Sequence, residues 1–164
     1  MLLNKPVSVL SRKLTLISCV LIFGACGSSP FVEVDPSQVD DKTKFVADKV
    51  YRALFDICAE NNFEQLIDYD FITPKMYQII RGGGFKDTCP ALAFLGNAKE
   101  KELPSVLFHK GILKIFRYKV KFDNYETPVE VRITLNVNNK LSEFRFYEWK
   151  DKYEHDLVEM HWFG

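Results

Sequence analysis

Histidine is scarce in this chain, with three in 164 residues, at positions 109, 155 and 161. His155 and His161 are six apart rather than the four of a helical metal pair, and no His-Glu-x-x-His occurs, so a zinc-hydrolase reading has no ligand set. No Gly-x-Ser-x-Gly is present, which removes the nucleophile elbow of serine hydrolases. Neither sign of charge is in excess: 22 Lys and Arg stand against 22 Asp and Glu. A nucleic-acid partner needs a basic face and is not expected. A run of about 20 apolar residues, the length of a membrane-spanning helix, is also missing. Gly82-Gly83-Gly84 lacks the Gly-Lys-Ser/Thr of a phosphate loop and follows a helical pattern, so it reads as a helix stop. No catalytic residue, metal ligand or cofactor is read from the chain.

The N-terminus does carry a signal. Lys5, Arg12 and Lys13 precede an apolar run of about 10 residues, Leu14 to Phe23. Gly24-Ala25 then leads into Cys26, followed by Gly27-Ser28-Ser29-Pro30. A charged start, apolar middle and small-residue exit are the parts of a secretory signal. With a cysteine at that point, the stretch resembles a bacterial lipoprotein signal. The resemblance implies removal of residues 1–25 and acylation of Cys26. The small and polar residues that follow, with Pro30 and Pro36, read as a lipidated tether over 26–40, and the remaining length as a single α+β domain over 41–164. Leu16-Ile17-Ser18-Cys19 fits the same pattern locally. It would leave too little apolar segment before the cut and put Val20 to Phe23 on the mature end. An ordinary signal peptide with an unmodified cysteine is the plainer alternative. Gly27, where an aspartate would retain the protein at the inner membrane, points to the outer membrane facing the periplasm. Residues 1–25 hold three basic residues and no acidic ones, so the remainder is 19 basic against 22 acidic, a net charge of −3. Membrane contact is expected through the lipid rather than through charge.

Of the four cysteines, Cys58 and Cys89 remain in the mature part. An oxidising compartment favours a disulfide between them. It would close a loop of about 30 residues and stabilise by roughly 3 kcal/mol on chain-entropy grounds. Two buried free thiols are the alternative.

Val46, Val50, Leu54 and Ile57-Cys58 recur at helical spacing from Asp41, with Asp40 or Asp41 as cap. A short helix is expected over Phe63 to Tyr69. Thr73-Pro74 opens another, the threonine capping and the proline in the first turn. Cys89-Pro90 begins a helix or turn through Leu95. After Pro104 the period changes to two. Apolar Phe116, Tyr118, Val120 and Phe122 alternate with Arg117, Lys119 and Lys121. Val129 to Val137 alternates with Glu130, Arg132 and Thr134. Asn138-Asn139 reads as a tight hairpin turn into a return strand, Leu141 to Trp149. A last helical turn or two is expected within 150–164. Helices followed by antiparallel strands mean α+β, with N-terminal helices packed on one face of a curved antiparallel sheet.

Two stretches carry a family likeness, Ala53-Leu54-Phe55-Asp56-Ile57-Cys58-Ala59-Glu60-Asn61-Asn62-Phe63-Glu64-Gln65-Leu66 and Val131 through Phe146. Their order resembles the cone-shaped nuclear-transport-factor-two-like (cystatin-like) domains. The resemblance implies a cone between sheet and helices that holds a ligand, holds catalytic groups or is filled by side chains. Tyr51, Phe116 and Tyr118 could line such a cavity or fill it. Asp56 and Asp70 are the carboxylates that could be semi-buried, with capping or surface roles as the alternative. The row Arg117, Lys119, Lys121 reads as a solvated face, or as a surface for a partner or anionic ligand. The functional expectation is a membrane-anchored, non-enzymatic periplasmic lipoprotein binding a small apolar ligand or a cell-envelope protein. A hydrolase or isomerase using a polar pair inside the cone, and a structural envelope subunit, are the alternatives.

Overall fold

The computed structural model describes residues 31–60, 70–84 and 88–154. The elements run β1 (Phe31–Val34), a 3-10 turn (Pro36–Gln38), α1 (Asp41–Glu60), α2 (Pro74–Arg81), α3 (Thr88–Leu95), β2 (Ala98–His109), β3 (Leu113–Phe122), β4 (Val129–Asn136) and β5 (Leu141–Glu148). The five strands lie in chain order in one antiparallel sheet. The fold is thus α+β, as the change of period predicts. The expected helix over 63–69 lies outside the described residues. So does most of the expected terminal helix; its described part, 150–154, is not helical.

Local chemistry sets the helix starts. Asp40 caps α1, its carboxylate accepting the Thr43 N–H at 2.8 Å. Thr73 caps α2 by accepting the Met76 N–H at 3.3 Å, with Pro74 in the first turn. At each position a side-chain oxygen satisfies a donor that the helix leaves without a partner. One stripe of α1 (Val46, Ala47, Val50, Leu54, Ile57) enters the core with Met76, Ile80, Leu92 and Leu95. It meets the even positions of β3 and the odd positions of β4, from Phe116 and Tyr118 to Val131 and Ile133. Cys58 and Cys89 are joined by a disulfide, which ties the end of α1 to the start of α3.

The sheet departs from a flat ladder at its irregular points. The β2–β3 register shifts between Ala98 and Glu100 and again between Glu102 and Ser105, around Pro104. Proline cannot donate to the ladder, so the strand tolerates it only at such a bulge or on an edge. The change of period puts the start of the strand after Pro104, but β2 already begins at Ala98. β1 covers only Val106 to His109, so the first half of β2 is an edge. Its Lys99-Glu100-Lys101-Glu102 run is exposed and opposes edge-to-edge pairing.

Two expectations are corrected here. Residues 31–38, placed in the tether by their prolines and polar residues, are part of the folded unit. Pairing of Phe31–Val34 with a strand more than 70 residues away is invisible to local pattern. The odd positions of β3 and even positions of β4 were expected to face solvent. Instead Arg117, Glu130, Arg132 and Thr134 are all buried, and the chain after β5 turns back over the two arginines.

Candidate functional site

A half-open groove of about 560 Å³ lies between the second half of α1 and the α3–β2 junction. Tyr51, Phe55, Leu92 and Ala93 supply apolar wall, Arg52, Asp56 and Asn97 supply polar groups, and the Cys58–Cys89 bridge forms part of the lining. Its size lies within the roughly 300–1,000 Å³ of small-molecule sites. Gly96 shapes one corner. Its φ is +80°, and a Cβ there would stand 2.8 Å from the Asn124 side-chain nitrogen. That amide donates to the Phe94 carbonyl at 3.3 Å and fastens the turn after β3 against α3.

Behind the groove wall is an aromatic and charged cluster. Tyr51 packs on Phe55 and Tyr118 with ring centroids 4.6 and 5.1 Å apart. Asp48 accepts hydrogen bonds from the Tyr118 hydroxyl at 3.0 Å and from Lys101 at 2.9 Å. The Lys101 ammonium also stands 4.7 Å from the Tyr51 ring centre, within cation–π range. Burial, and then the Asp48 charge, push both phenol pKa values up. Tyr118 therefore stays protonated and serves as a donor, not as a base. The Tyr51 hydroxyl is buried and has no hydrogen-bond partner among the described residues.

Of the three residues read as cavity lining, Tyr51 lines the groove and Tyr118 stacks behind it. Phe116 is fully buried in the core and is absent from the groove wall. Of the two carboxylates, Asp56 is exposed at the groove and Asp70 is exposed at the turn before α2. Asp48, the acid that does meet a tyrosine, sits on the α1 face and carried no sequence signal beyond its position three before Tyr51.

The basic row on β3 divides. Lys121 is exposed and pairs with Glu100 at 2.6 Å. Its pKa is raised first by that hydrogen bond and then by the same carboxylate's charge. Arg117 is 1% exposed. Its guanidinium donates to Glu130 at 2.9 Å and to the Lys150 carbonyl at 2.6 Å. Arg132, directly opposite Arg117 in the ladder, donates to the same carboxylate at 2.7 Å. Trp149, Tyr147 and Tyr153 cover the two guanidiniums, with ring centres 4.2–5.7 Å away. This is an interior Arg–Glu–Arg triad, not a surface offered to an anion.

No group of three or more His, Cys, Asp or Glu that could hold a metal ion occurs among the described residues. No described helix is long and apolar enough to cross a membrane. Compared with known protein families, curated proteins and solved structures, the chain has no significant match.

Proposed function

We propose that this chain is a lipid-anchored protein of the bacterial cell envelope, acylated at Cys26, that binds a small, largely apolar ligand without transforming it. The groove beside Tyr51 is the observation that carries the binding half of this reading. It offers aromatic and aliphatic wall with a few polar groups at its rim, the composition of small-molecule sites. The lipoprotein-like leader supports the anchoring half, and Gly27 favours the outer membrane facing the periplasm. The helices-on-meander architecture agrees with the nuclear-transport-factor-two-like relationship that we propose for the domain. Arg52 and Asp56 stand exposed at the groove, and the Asp48–Tyr118 pair behind its wall is spent on internal hydrogen bonding. This is why a binding role is preferred to a hydrolase or isomerase.

Two experiments test the two halves. Cys26→Ser should move the protein from the membrane to the soluble envelope fraction; unchanged retention would refute acylation at that residue. The apolar dye N-phenyl-1-naphthylamine should bind once per chain and compete with extracted native ligand. Ala93→Trp, which adds bulk to an exposed groove wall, should weaken dye binding at least tenfold. Equal binding by the two proteins would place the dye, and the reading, elsewhere.

A further inference from the structure

Six large hydrophobic side chains are well exposed among the described residues: Val32, Phe45, Ile79, Phe94, Ile112 and Val137. Three of them gather at one end of the molecule. Ile112 and Val137 follow directly on the Leu113–Asn136 pair that ends the β3–β4 ladder. Val32 pairs with Phe108 in the register step next to Phe31–His109, where β2 ends at the same turn. The start of α1 meets the same end, where the Thr43 hydroxyl donates to Asn139 of the β4–β5 turn at 3.2 Å. Lys114 clamps that junction, donating to Asn139 at 2.6 Å. Exposures are 56% for Ile112, 61% for Val137 and 64% for Val32. Two hairpin turns thus present apolar side chains at their tips. Lys110, exposed with φ +48°, stands beside Ile112.

The tether decides what covers this end. β1 begins at Phe31, at the tip itself. Five residue steps separate it from Cys26, a reach of at most about 17 Å when fully extended. The sheet is longer than that reach, since the ten residues of β3 span about 33 Å. An acylated Cys26 therefore holds the tip end, and not the far end, against the bilayer. We infer that the tip formed by Val32, Ile112 and Val137 is a membrane-contacting surface that enters the lipid headgroup layer. Lys110 faces the phosphates, and the groove is directed away from the membrane. This rests on the reading that Cys26 is acylated. The groove lies at the opposite end because Gly96 and Asn97 pack on Asp123 and Asn124, beyond the far end of β3. A tether ending at residue 40 would have given no such constraint.

The test uses the full, processed protein reconstituted in vesicles of three parts phosphatidylethanolamine to one part phosphatidylglycerol. Sedimentation comes first: the wild type should pellet with the vesicles, and Cys26→Ser should pellet at least fivefold less. Failure of the wild type to pellet, or equal pelleting, overturns the anchor and the orientation with it. Tryptophan is then placed singly at Ile112, at Val137 and, as the far-end comparison, at Phe94. The signal of the unaltered protein is subtracted from each. Brominated lipid should quench Ile112→Trp and Val137→Trp at least twice as strongly as Phe94→Trp. Equal quenching at the three sites in a protein that does pellet overturns the orientation while leaving the anchor standing. A protein partner would then be the occupant of the tip.

Discussion

Replacing Glu130 by glutamine is expected to cost about 3–5 kcal/mol, the range for removing one member of a buried ion pair. Glu130 has no solvent exposure and holds one guanidinium at 2.9 Å and another at 2.7 Å. Those guanidiniums belong to residues that face each other across β3 and β4. Like charges so placed repel, and the shared carboxylate offsets that repulsion. Glutamine keeps the shape but loses the charge, and it presents an amide donor to groups that can only donate. Two buried cations then remain beneath Trp149 and Tyr153, with the exposed Glu33 carboxylate, 3.9 Å from Arg117, as a distant counter-charge. A domain of ordinary stability has only about 5–15 kcal/mol in total, so the loss would be a large share. The melting temperature should fall by about 10–20 °C. The assay is urea unfolding followed by far-ultraviolet circular dichroism, with the disulfide intact and the slope unchanged. The triple replacement of Arg117 by Met, Glu130 by Leu and Arg132 by Met should lie within about 2 kcal/mol of the wild type or above it, because desolvation is removed with the charges. A Glu130→Gln protein within about 1 kcal/mol of wild type would refute the buried-triad account.

Reducing the Cys58–Cys89 bridge should cost about 3–4 kcal/mol, since it closes a span of 31 residues; a cost below about 1 kcal/mol by urea unfolding would contradict this. Gly96→Ala should lose about 1–3 kcal/mol, through positive φ and the crowding against Asn124, whereas a neutral result would show that the corner relaxes freely. Tyr51→Phe should leave stability equal or raise it by about 1–2 kcal/mol, because it deletes a buried hydroxyl that has no partner among the described residues; a clear loss in thermal unfolding would reveal one. Hydrogen bonds from the side chain and then the backbone of Thr43 hold the Asp40 carboxyl below its ordinary 3.8. The cap's contribution is therefore complete above about pH 4 and is lost as pH falls through the lower folded value. Asp40→Asn, itself a good cap, should flatten the acid end of the stability profile, and an unchanged acid slope would argue against this.

The strands β3 to β5 were legible because Phe116, Tyr118 and Val120, and then Val131 and Ile133, repeat at period two. Thr73-Pro74 and Asn138-Asn139 announced a helix start and a turn by their backbone chemistry. The Cys58–Cys89 pairing followed from compartment and count. What escaped depends on chain segments meeting from afar. Arg117 looks solvent-facing until Trp149 to Glu154 folds back over it. The available signal was Glu130 placed between two arginines, with aromatics crowding the chain after β5. β1 is four residues bounded by Pro30 and Asp35-Pro36, and nothing local distinguishes it from a tether. The groove was only half visible: Tyr51 stood out as an aromatic on the α1 stripe. Leu92, Ala93 and Asn97 join it from α3 and the α3–β2 junction, where α3 packs on α1 and the disulfide ties the two helices.

Native mass spectrometry of the protein purified from its own envelope tests the central claim most directly. The account predicts a reproducible added mass at one copy per chain, released by organic solvent and missing from the Ala93→Trp protein. A bare chain, or an added mass that survives Ala93→Trp unchanged, would contradict ligand binding in the groove.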